Sequence, residues 1–223
     1  MADLLLYGSP ISPFQRKVET VLREKGLPFD SESVNVIGMP GWFAEISPAR
    51  RIPVLRDRTV GEEGVAGTLP DSSAICAYLE ARFPEVPVLP ADPWDRGRAL
   101  WLEEYADSEL VMAIGGGIFR PLAFPLFTGG TPDLDGARRA YAETLPRHYD
   151  YLEGALGDRQ WFVGDAMSLA DIAVASAVAQ LFVIAHGPEA DRWPGLAAHF
   201  ERMRARPTFA ANLDTVARML ARL

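Results

Sequence analysis

Residues 4–18 read Leu-Leu-Leu-Tyr-Gly-Ser-Pro-Ile-Ser-Pro-Phe-Gln-Arg-Lys-Val and change from the signals of a strand to those of a helix. The apolar run at the start, closed by Gly-Ser-Pro, predicts a short buried strand. Ser12 is a residue type preferred at a helix N-cap, Pro13 suits the first helical position, and Gln15 predicts a reciprocal capping box. The stretch therefore predicts a strand–turn–helix unit at the start of an α/β domain.

The following sixty residues keep alternating between strand and helix signals. Residues 29–36, 53–56 and 65–69 predict three further strands, and Asp71 predicts the N-cap of a second helix. Residues 83–93 then contain four prolines, a density that no helix tolerates, so this segment is predicted to be a linker.

Beyond the linker the signals are helical. Apolar residues recur at three- and four-residue spacing in 96–113, 136–156, 168–185 and 195–205, while the glycines and prolines of 115–132 predict an irregular segment. Ser168 and Asp171 have the spacing of a capping box, to which we assign a structural role. The fold class is therefore α/β plus all-α, with an α/β domain over 1–82, a linker over 83–93 and an all-helical domain over 94–223.

Composition excludes several classes of protein. The 223 residues carry 22 Lys and Arg against 30 Asp and Glu, an acidic balance that argues against nucleic-acid binding. The single cysteine, Cys76, allows neither an intrachain disulfide nor a CxxC redox pair, and the three histidines show no metal-ligand spacing. The N-terminus lacks a basic region, and the most apolar stretch, 172–185, is too short to span a bilayer. We therefore expect a cytoplasmic protein with no metal and no membrane segment.

Three segments in this order resemble the cytosolic glutathione transferase family, in its bacterial, serine-type form. They are Tyr-Gly-Ser-Pro-Ile-Ser-Pro-Phe-Gln-Arg-Lys-Val (7–18), Ser-Pro-Ala-Arg-Arg-Ile-Pro-Val-Leu (47–55) followed by Asp-Ser-Ser-Ala-Ile (71–75), and Trp-Phe-Val-Gly-Asp-Ala-Met-Ser-Leu-Ala-Asp-Ile-Ala (161–173). The resemblance implies a thioredoxin-like first domain that binds glutathione as cosubstrate. It also implies a helical second domain that supplies most of the electrophile pocket, and a homodimer.

The family chemistry needs the glutathione thiolate, whereas a free thiol has a pKa of about 8.5. A hydroxyl donor and a helix N-terminus both favour the anion, and Ser12 lies where both could act. By sequence alone Ser12 is a good helix cap. The resemblance implies that it donates its hydroxyl to the glutathione sulfur. Tyr7 is the rival donor, and Ser9 is a third. Some related branches have cysteine in place of Ser12 and form a mixed disulfide; serine favours thiolate activation instead.

The resemblance also implies the residues that bind the rest of glutathione. Ile52 and Pro53 match a cis-proline turn that presents the backbone of Ile52 to the cysteinyl part. Asp71 would pair with the γ-glutamyl ammonium, and Ser72 at the helix N-terminus would bind its carboxylate. Arg51 matches a basic residue for the glycyl carboxylate.

Several of these residues have a plainer interpretation. Arg50 could replace Arg51, Ile52 could simply precede a strand, and Asp71 could be an ordinary cap.

The leading hypothesis is an enzyme that conjugates, isomerises or reduces a small electrophile with the glutathione thiolate. The alternative is a non-enzymatic member of the family that acts as a binding or regulatory protein.

Overall fold

The structure, a computed structural model, describes residues 1–35, 38–182 and 187–221. It divides into two compact units, Met1–Val88 and Leu89–Leu223, and the division falls inside the proline-rich segment.

The first unit is built on a four-stranded mixed sheet. Strand β1 lies between a parallel neighbour, β2, and an antiparallel neighbour, β3, and β4 pairs antiparallel with β3 to complete the order β2-β1-β3-β4. The strands are β1 (Leu4–Gly8), β2 (Phe29–Ser33), β3 (Val54–Asp57) and β4 (Thr68–Pro70), and the helices are α1 (Pro13–Glu24), α2 (Phe43–Ile46) and α3 (Ser72–Arg82). The predicted α/β domain is confirmed.

Strand β1 is buried on both faces of the sheet. Leu5 and Tyr7 join a core cluster with Phe43 of α2 and Val54 of β3. Because side chains alternate along a strand, Leu4 and Leu6 face the opposite side, where they are also buried. This explains why the run reads as continuously apolar rather than alternating.

Two strands differ from their predictions. Strand β2 ends at Ser33 rather than at Val36, which lies outside the described residues. Strand β4 begins at Thr68, not at residue 65. The cause is Arg56, whose guanidinium donates to the carbonyl oxygens of Gly64 and Ala66, both at 2.7 Å, and holds the chain in a turn before the strand begins.

The first unit includes the start of the proline-rich segment because Lys25 binds it. The ammonium group of Lys25 donates to the carbonyl oxygens of Phe83 (3.0 Å) and Val86 (2.8 Å) and lies 2.7 Å from the carboxylate of Glu80. Glu80 in turn accepts from the backbone N–H of Val88 at 3.1 Å. Both charged side chains are buried, so the pair links the chain after α3 to the end of α1.

The second unit is helical throughout its regular structure, which confirms the predicted all-helical domain. Its α-helices are α4 (Pro93–Tyr105), α5 (Arg120–Thr128), α6 (Leu134–Arg139), α7 (Leu145–Leu156), α8 (Leu169–Phe182), α9 (Pro194–Ala205) and α10 (Pro207–Leu220). π-Helical turns at Ala106–Leu110, Met112–Phe119 and Ala140–Thr144 connect some of them. The predicted helix end at Ala185 lies outside the described residues.

The segment predicted to be irregular, 115–132, is helical as far as Thr128. Two of its glycines, Gly115 and Gly117, are closely packed against other helices. A Cβ atom on Gly115 would lie 2.8 Å from the side-chain oxygen of Gln180, and one on Gly117 would lie 3.1 Å from the Cβ of Ala140. Tertiary packing therefore overrides the low helix propensity that the sequence indicates.

Helix α10 is absent from the sequence-based prediction. Its signal was present, since Phe209, Asn212 and Val216 are buried and follow one another at three- and four-residue spacing behind Pro207.

Candidate active site

The strand register brings the predicted site residues to one edge of the sheet. Tyr7 of β1 pairs with Val54 of β3, and Val54 pairs with Pro70 of β4, so the three residues form one row across the sheet. The chain leaves β1 after this row towards Ser12, enters β3 just after Ile52, and leaves β4 directly into Asp71 and Ser72. Residues far apart in sequence therefore emerge at the same edge.

Ser12 is the N-cap of α1. Its Oγ accepts from the backbone N–H of Gln15 at 3.4 Å, a long bond, and its own N–H donates to the carbonyl of Ser9 at 2.9 Å. The predicted reciprocal capping box is wrong in its second half, because the Gln15 side chain donates to Glu19 at 2.8 Å. Within the described part of the chain the Ser12 hydroxyl proton has no acceptor, so it can be donated to a ligand.

Gly8 and Gln15 hold the turn before Ser12 against α1. A Cβ atom on Gly8 would lie 2.1 Å from the side-chain oxygen of Gln15, so this position accepts only glycine without rearrangement. The same Gln15 oxygen is buried and has no partner among the described residues. Sequence reasoning assigned Gln15 only to the cap and missed this packing role.

Tyr7 is placed in the core. Its side chain is buried, its ring contacts Trp42 edge-on at 5.8 Å, and its hydroxyl accepts from Nε of Arg56 at 3.4 Å. These contacts give Tyr7 a structural role, which favours Ser12 as the donor to sulfur. Tyr7 stays the rival candidate for the thiolate.

The Ile52–Pro53 peptide bond is cis, as the resemblance implies. The preceding turn is braced by Ser47, whose Oγ accepts from the N–H of Arg51 at 3.0 Å and donates to its carbonyl at 2.8 Å. The N–H and C=O of Ile52 make no hydrogen bond to any residue that the structure describes. They are thus available to pair with an extended peptide such as glutathione. The side chains of Arg50 and Arg51 are both exposed.

Asp71 caps α3 and has an uncommon backbone conformation. Its φ is 80°, in the left-handed region, and Oδ1 accepts from the N–H groups of Ser73 and Ala74, both at 3.0 Å. The plain interpretation as an N-cap is therefore correct. Oδ2 has no contact with a described residue and can pair with an ammonium group as well. Ser72, the first residue of α3, is 5% exposed.

Lys17, which sequence reasoning missed, adds positive charge near the α3 N-terminus. It is fully buried, and its ammonium group donates to the hydroxyl of Ser73 at 3.3 Å. Its neighbour Arg16 is also fully buried, which lowers the pKa of its guanidinium to about 10, while the charge of Glu19 acts in the opposite direction. The Arg16 guanidinium is therefore cationic at neutral pH. Two helix N-termini and this lysine make the edge favourable for anions.

The described ranges contain no cluster of three His, Cys, Asp or Glu side chains placed to hold a metal ion. No helix in them has the length and apolar character that crossing a membrane requires.

Comparison with known proteins gives consistent matches along the chain. Residues 6–87 match the family described as glutathione S-transferase, N-terminal domain, and residues 121–207 match glutathione S-transferase, C-terminal domain.

Two curated relatives and one solved structure illustrate the likeness. FtsZ-localized protein A of Caulobacter vibrioides is 30% identical over 222 residues, covering 88% of this chain and 96% of that protein. Glutathione S-transferase 3 of Zea mays is 33% identical over 230 residues, covering 97% and 96%. The crystal structure of a glutathione S-transferase from Rhodospirillum rubrum F11 superposes with a TM-score of 0.82 at 25% identity, covering 94% and 91%.

The matches cover both halves of the chain, and they agree with a thioredoxin-like sheet followed by a helical unit. The chain therefore belongs to the glutathione S-transferase family.

Proposed function

We propose that the protein binds glutathione at the sheet edge of its first unit and uses the glutathione thiolate to conjugate, isomerise or reduce a small electrophile. The observation that carries this proposal is the register row of Tyr7, Val54 and Pro70, which brings the Ser12, Ile52 and Asp71 segments to one edge. Each of the three segments carries a group that suits the chemistry of one part of glutathione.

The proposed mechanism is thiolate stabilisation followed by alignment. Ser12 donates its hydroxyl proton to the sulfur, and the N-terminus of α1 adds favourable partial charge. The backbone of Ile52 binds the cysteinyl part, Asp71 pairs with the γ-glutamyl ammonium, and Ser72 binds its carboxylate. Arg51 is exposed on the turn before Ile52 and is proposed for the glycyl carboxylate. Holding thiolate and electrophile together removes most of the entropic cost of a bimolecular reaction.

Substitution of Asp71 tests glutathione binding. Asp71→Asn keeps the capping oxygen and suits the left-handed backbone, but it removes the negative charge. We expect the affinity for glutathione, measured by calorimetry, to fall more than about tenfold, because a charge-assisted bond worth roughly 1.5–3 kcal/mol is lost.

Asp92→Asn is the matched control for this measurement. Asp92 caps α4 through the same pair of contacts, with Oδ1 accepting from Trp94 and Asp95 N–H groups at 3.0 Å, but it lies in the other unit. The Asp92→Asn variant should bind glutathione with the same affinity as the unchanged protein. Equal affinities for Asp71→Asn and Asp92→Asn would contradict the proposed site.

A homodimer is the assembly that the family membership favours. Trp94 of α4 is 77% exposed, and Val60 and Val65 of the first unit are 67% and 60% exposed, so these side chains offer apolar surface that a second copy could cover. Light scattering should give about twice the chain mass of 24.4 kDa. A monomer at micromolar concentration would contradict this proposal. We also propose a cytoplasmic location and no nucleic-acid partner.

The second candidate function is a non-enzymatic binding or regulatory role. It is favoured by the relative named FtsZ-localized protein A, whose name describes a location and not a reaction. Retention on a glutathione resin combined with turnover of a generic electrophile, 1-chloro-2,4-dinitrobenzene, supports the enzyme. Retention without turnover of any electrophile supports the binding role.

A further inference from the structure

Lys17 is a fully buried side chain to which the proposed glutathione contacts assign no role. It lies in α1, five residues after Ser12, and lysine is seldom fully buried because removing an ammonium group from water costs free energy. The buried residues Val18 and Val21 show that apolar side chains serve the packing of this part of α1. Filling space therefore does not explain a lysine at this position.

The ammonium group of Lys17 reaches the first turn of α3. Its Nζ donates to Oγ of Ser73 at 3.3 Å, a long bond that joins residues 56 positions apart in the sequence. The N–H of Ser73 donates in turn to Oδ1 of Asp71 at 3.0 Å. Ser73 thus connects the buried lysine to the segment that we propose for the γ-glutamyl end of glutathione.

This position of Lys17 makes the start of α3 unequal towards the two charged groups of the γ-glutamyl end. A helix N-terminus carries positive partial charge, and an ammonium group behind it adds to that charge. Because Lys17 is fully buried and Ser72 is only 5% exposed, water screens the charge poorly in the space between them. A carboxylate bound at Ser72 is therefore stabilised, whereas an ammonium group there is repelled. The ammonium group of the ligand is left to Asp71, which is exposed.

We propose that Lys17 is a positioning residue that acts through Ser73 and makes the start of α3 selective for the γ-glutamyl carboxylate. The inference rests on the proposed glutathione site. It goes beyond that site because it assigns the choice between the two charged groups to a buried side chain of another helix.

A plainer interpretation is that the bond between Lys17 and Ser73 only holds α1 and α3 together. The two interpretations differ in what they predict for ligands. Loss of a structural bond weakens every ligand of the site alike, whereas loss of charge selection weakens only those ligands that carry the carboxylate.

The test therefore compares glutathione with two analogues that each lack one charged group. γ-Aminobutyryl-cysteinylglycine lacks only the α-carboxylate, and glutaryl-cysteinylglycine lacks only the α-ammonium group. Dissociation constants are measured by calorimetry on the full chain. We expect the unchanged protein to bind glutathione at least about 30-fold more tightly than the analogue without the carboxylate, because a charge-assisted bond at a helix N-terminus is lost.

Lys17→Met keeps the length of the side chain and removes the ammonium group. It should reduce the preference for the carboxylate at least about fivefold, and it should leave the preference over glutaryl-cysteinylglycine unchanged within about twofold. Lys17→Arg keeps a charged donor and should retain the preference for the carboxylate. Lys17→Gln keeps a neutral donor to Ser73 and should lose that preference, which gives the same information if Lys17→Met does not fold.

Asp71→Asn is the reciprocal variant, because it should reduce the preference over glutaryl-cysteinylglycine and keep the preference for the carboxylate. An equal loss of affinity for all three ligands in Lys17→Met would show a structural role only and would overturn the inference. Glutathione binding without discrimination against the analogue that lacks the carboxylate would overturn it as well, while the proposed site stands. If the unchanged protein binds none of the three ligands, the proposed function itself is wrong, and the inference is wrong with it.

Discussion

Asp171→Ala is expected to lower the free energy of unfolding by about 3–5 kcal/mol, the range found when one member of a buried charged network is removed. Asp171 is fully buried in the first turn of α8. Its Oδ2 accepts from the N–H (2.8 Å) and hydroxyl (2.9 Å) of Ser168, and the first of these bonds is one half of the predicted capping box. Its Oδ1 accepts from the N–H of Phe162 at 2.9 Å and lies 3.0 Å from Nε2 of His199.

The expected loss of stability is large because Asp171→Ala removes the acceptor of several buried donors. Four donors lose their acceptor at once in a region with no access to water, and each unmet donor costs about 1–3 kcal/mol before relaxation. Urea unfolding followed by circular dichroism measures the change.

Asp133→Ala provides the comparison. Asp133 also caps a helix, α6, with Oδ1 accepting from the N–H of Gly136 at 2.8 Å, but it is exposed. We expect a loss of only about 1 kcal/mol there. If the two variants unfold with similar free-energy changes, the buried contacts of Asp171 contribute little beyond capping.

Ser12→Ala should reduce turnover at pH 7 by about 10- to 100-fold, which corresponds to losing a hydrogen bond to a charged atom worth about 1.5–3 kcal/mol. Without the donor the pKa of the bound thiol rises, so less thiolate is present at pH 7. The deficit should therefore shrink as the pH increases and the thiol ionises in both proteins. Absorbance of the bound thiolate against pH measures the shift directly.

Folding should change little in this variant. The bond that Ser12 accepts from Gln15 is long, 3.4 Å, and a lost cap costs about 1 kcal/mol at most sites. Glutathione affinity should also change less than turnover, because Ile52, Asp71 and Ser72 provide most of the proposed contacts.

Tyr7→Phe separates the two candidate donors. It removes only a hydroxyl that accepts from Arg56. We expect the titration of the bound thiol to stay in place. A shift in Tyr7→Phe with none in Ser12→Ala would show that Ser12 is only a helix cap and that Tyr7 contacts the sulfur.

Local signals predicted those parts of the fold that depend on neighbouring residues. The caps at Ser12 and Asp71 were predicted correctly because a side-chain oxygen two or three positions before a helical N–H is sufficient to make them. The order of strands and helices in the first unit follows from equally short patterns. Helix α10 was not predicted, although its signal, Pro207 followed by Phe209 and Val216 on one face, is equally local.

Other features depend on residues distant in sequence. The start of β4 is decided by Arg56, and the helical conformation of 115–128 by close packing of Gly115 on Gln180. No local pattern contains either contact. The side chain of Gln15 is a different case, because it bonds to Glu19 only four residues later in α1 instead of completing a capping box.

The sequence by itself determined that the chain has an α/β half and a helical half, and which residue types could bind glutathione. Only the tertiary structure decided that Tyr7 is a core residue and that the Ser12, Ile52 and Asp71 segments share one sheet edge. The reason is physical: caps and strand signals arise within a few residues, whereas strand register and hydrogen-bond direction exist only once distant segments have packed together.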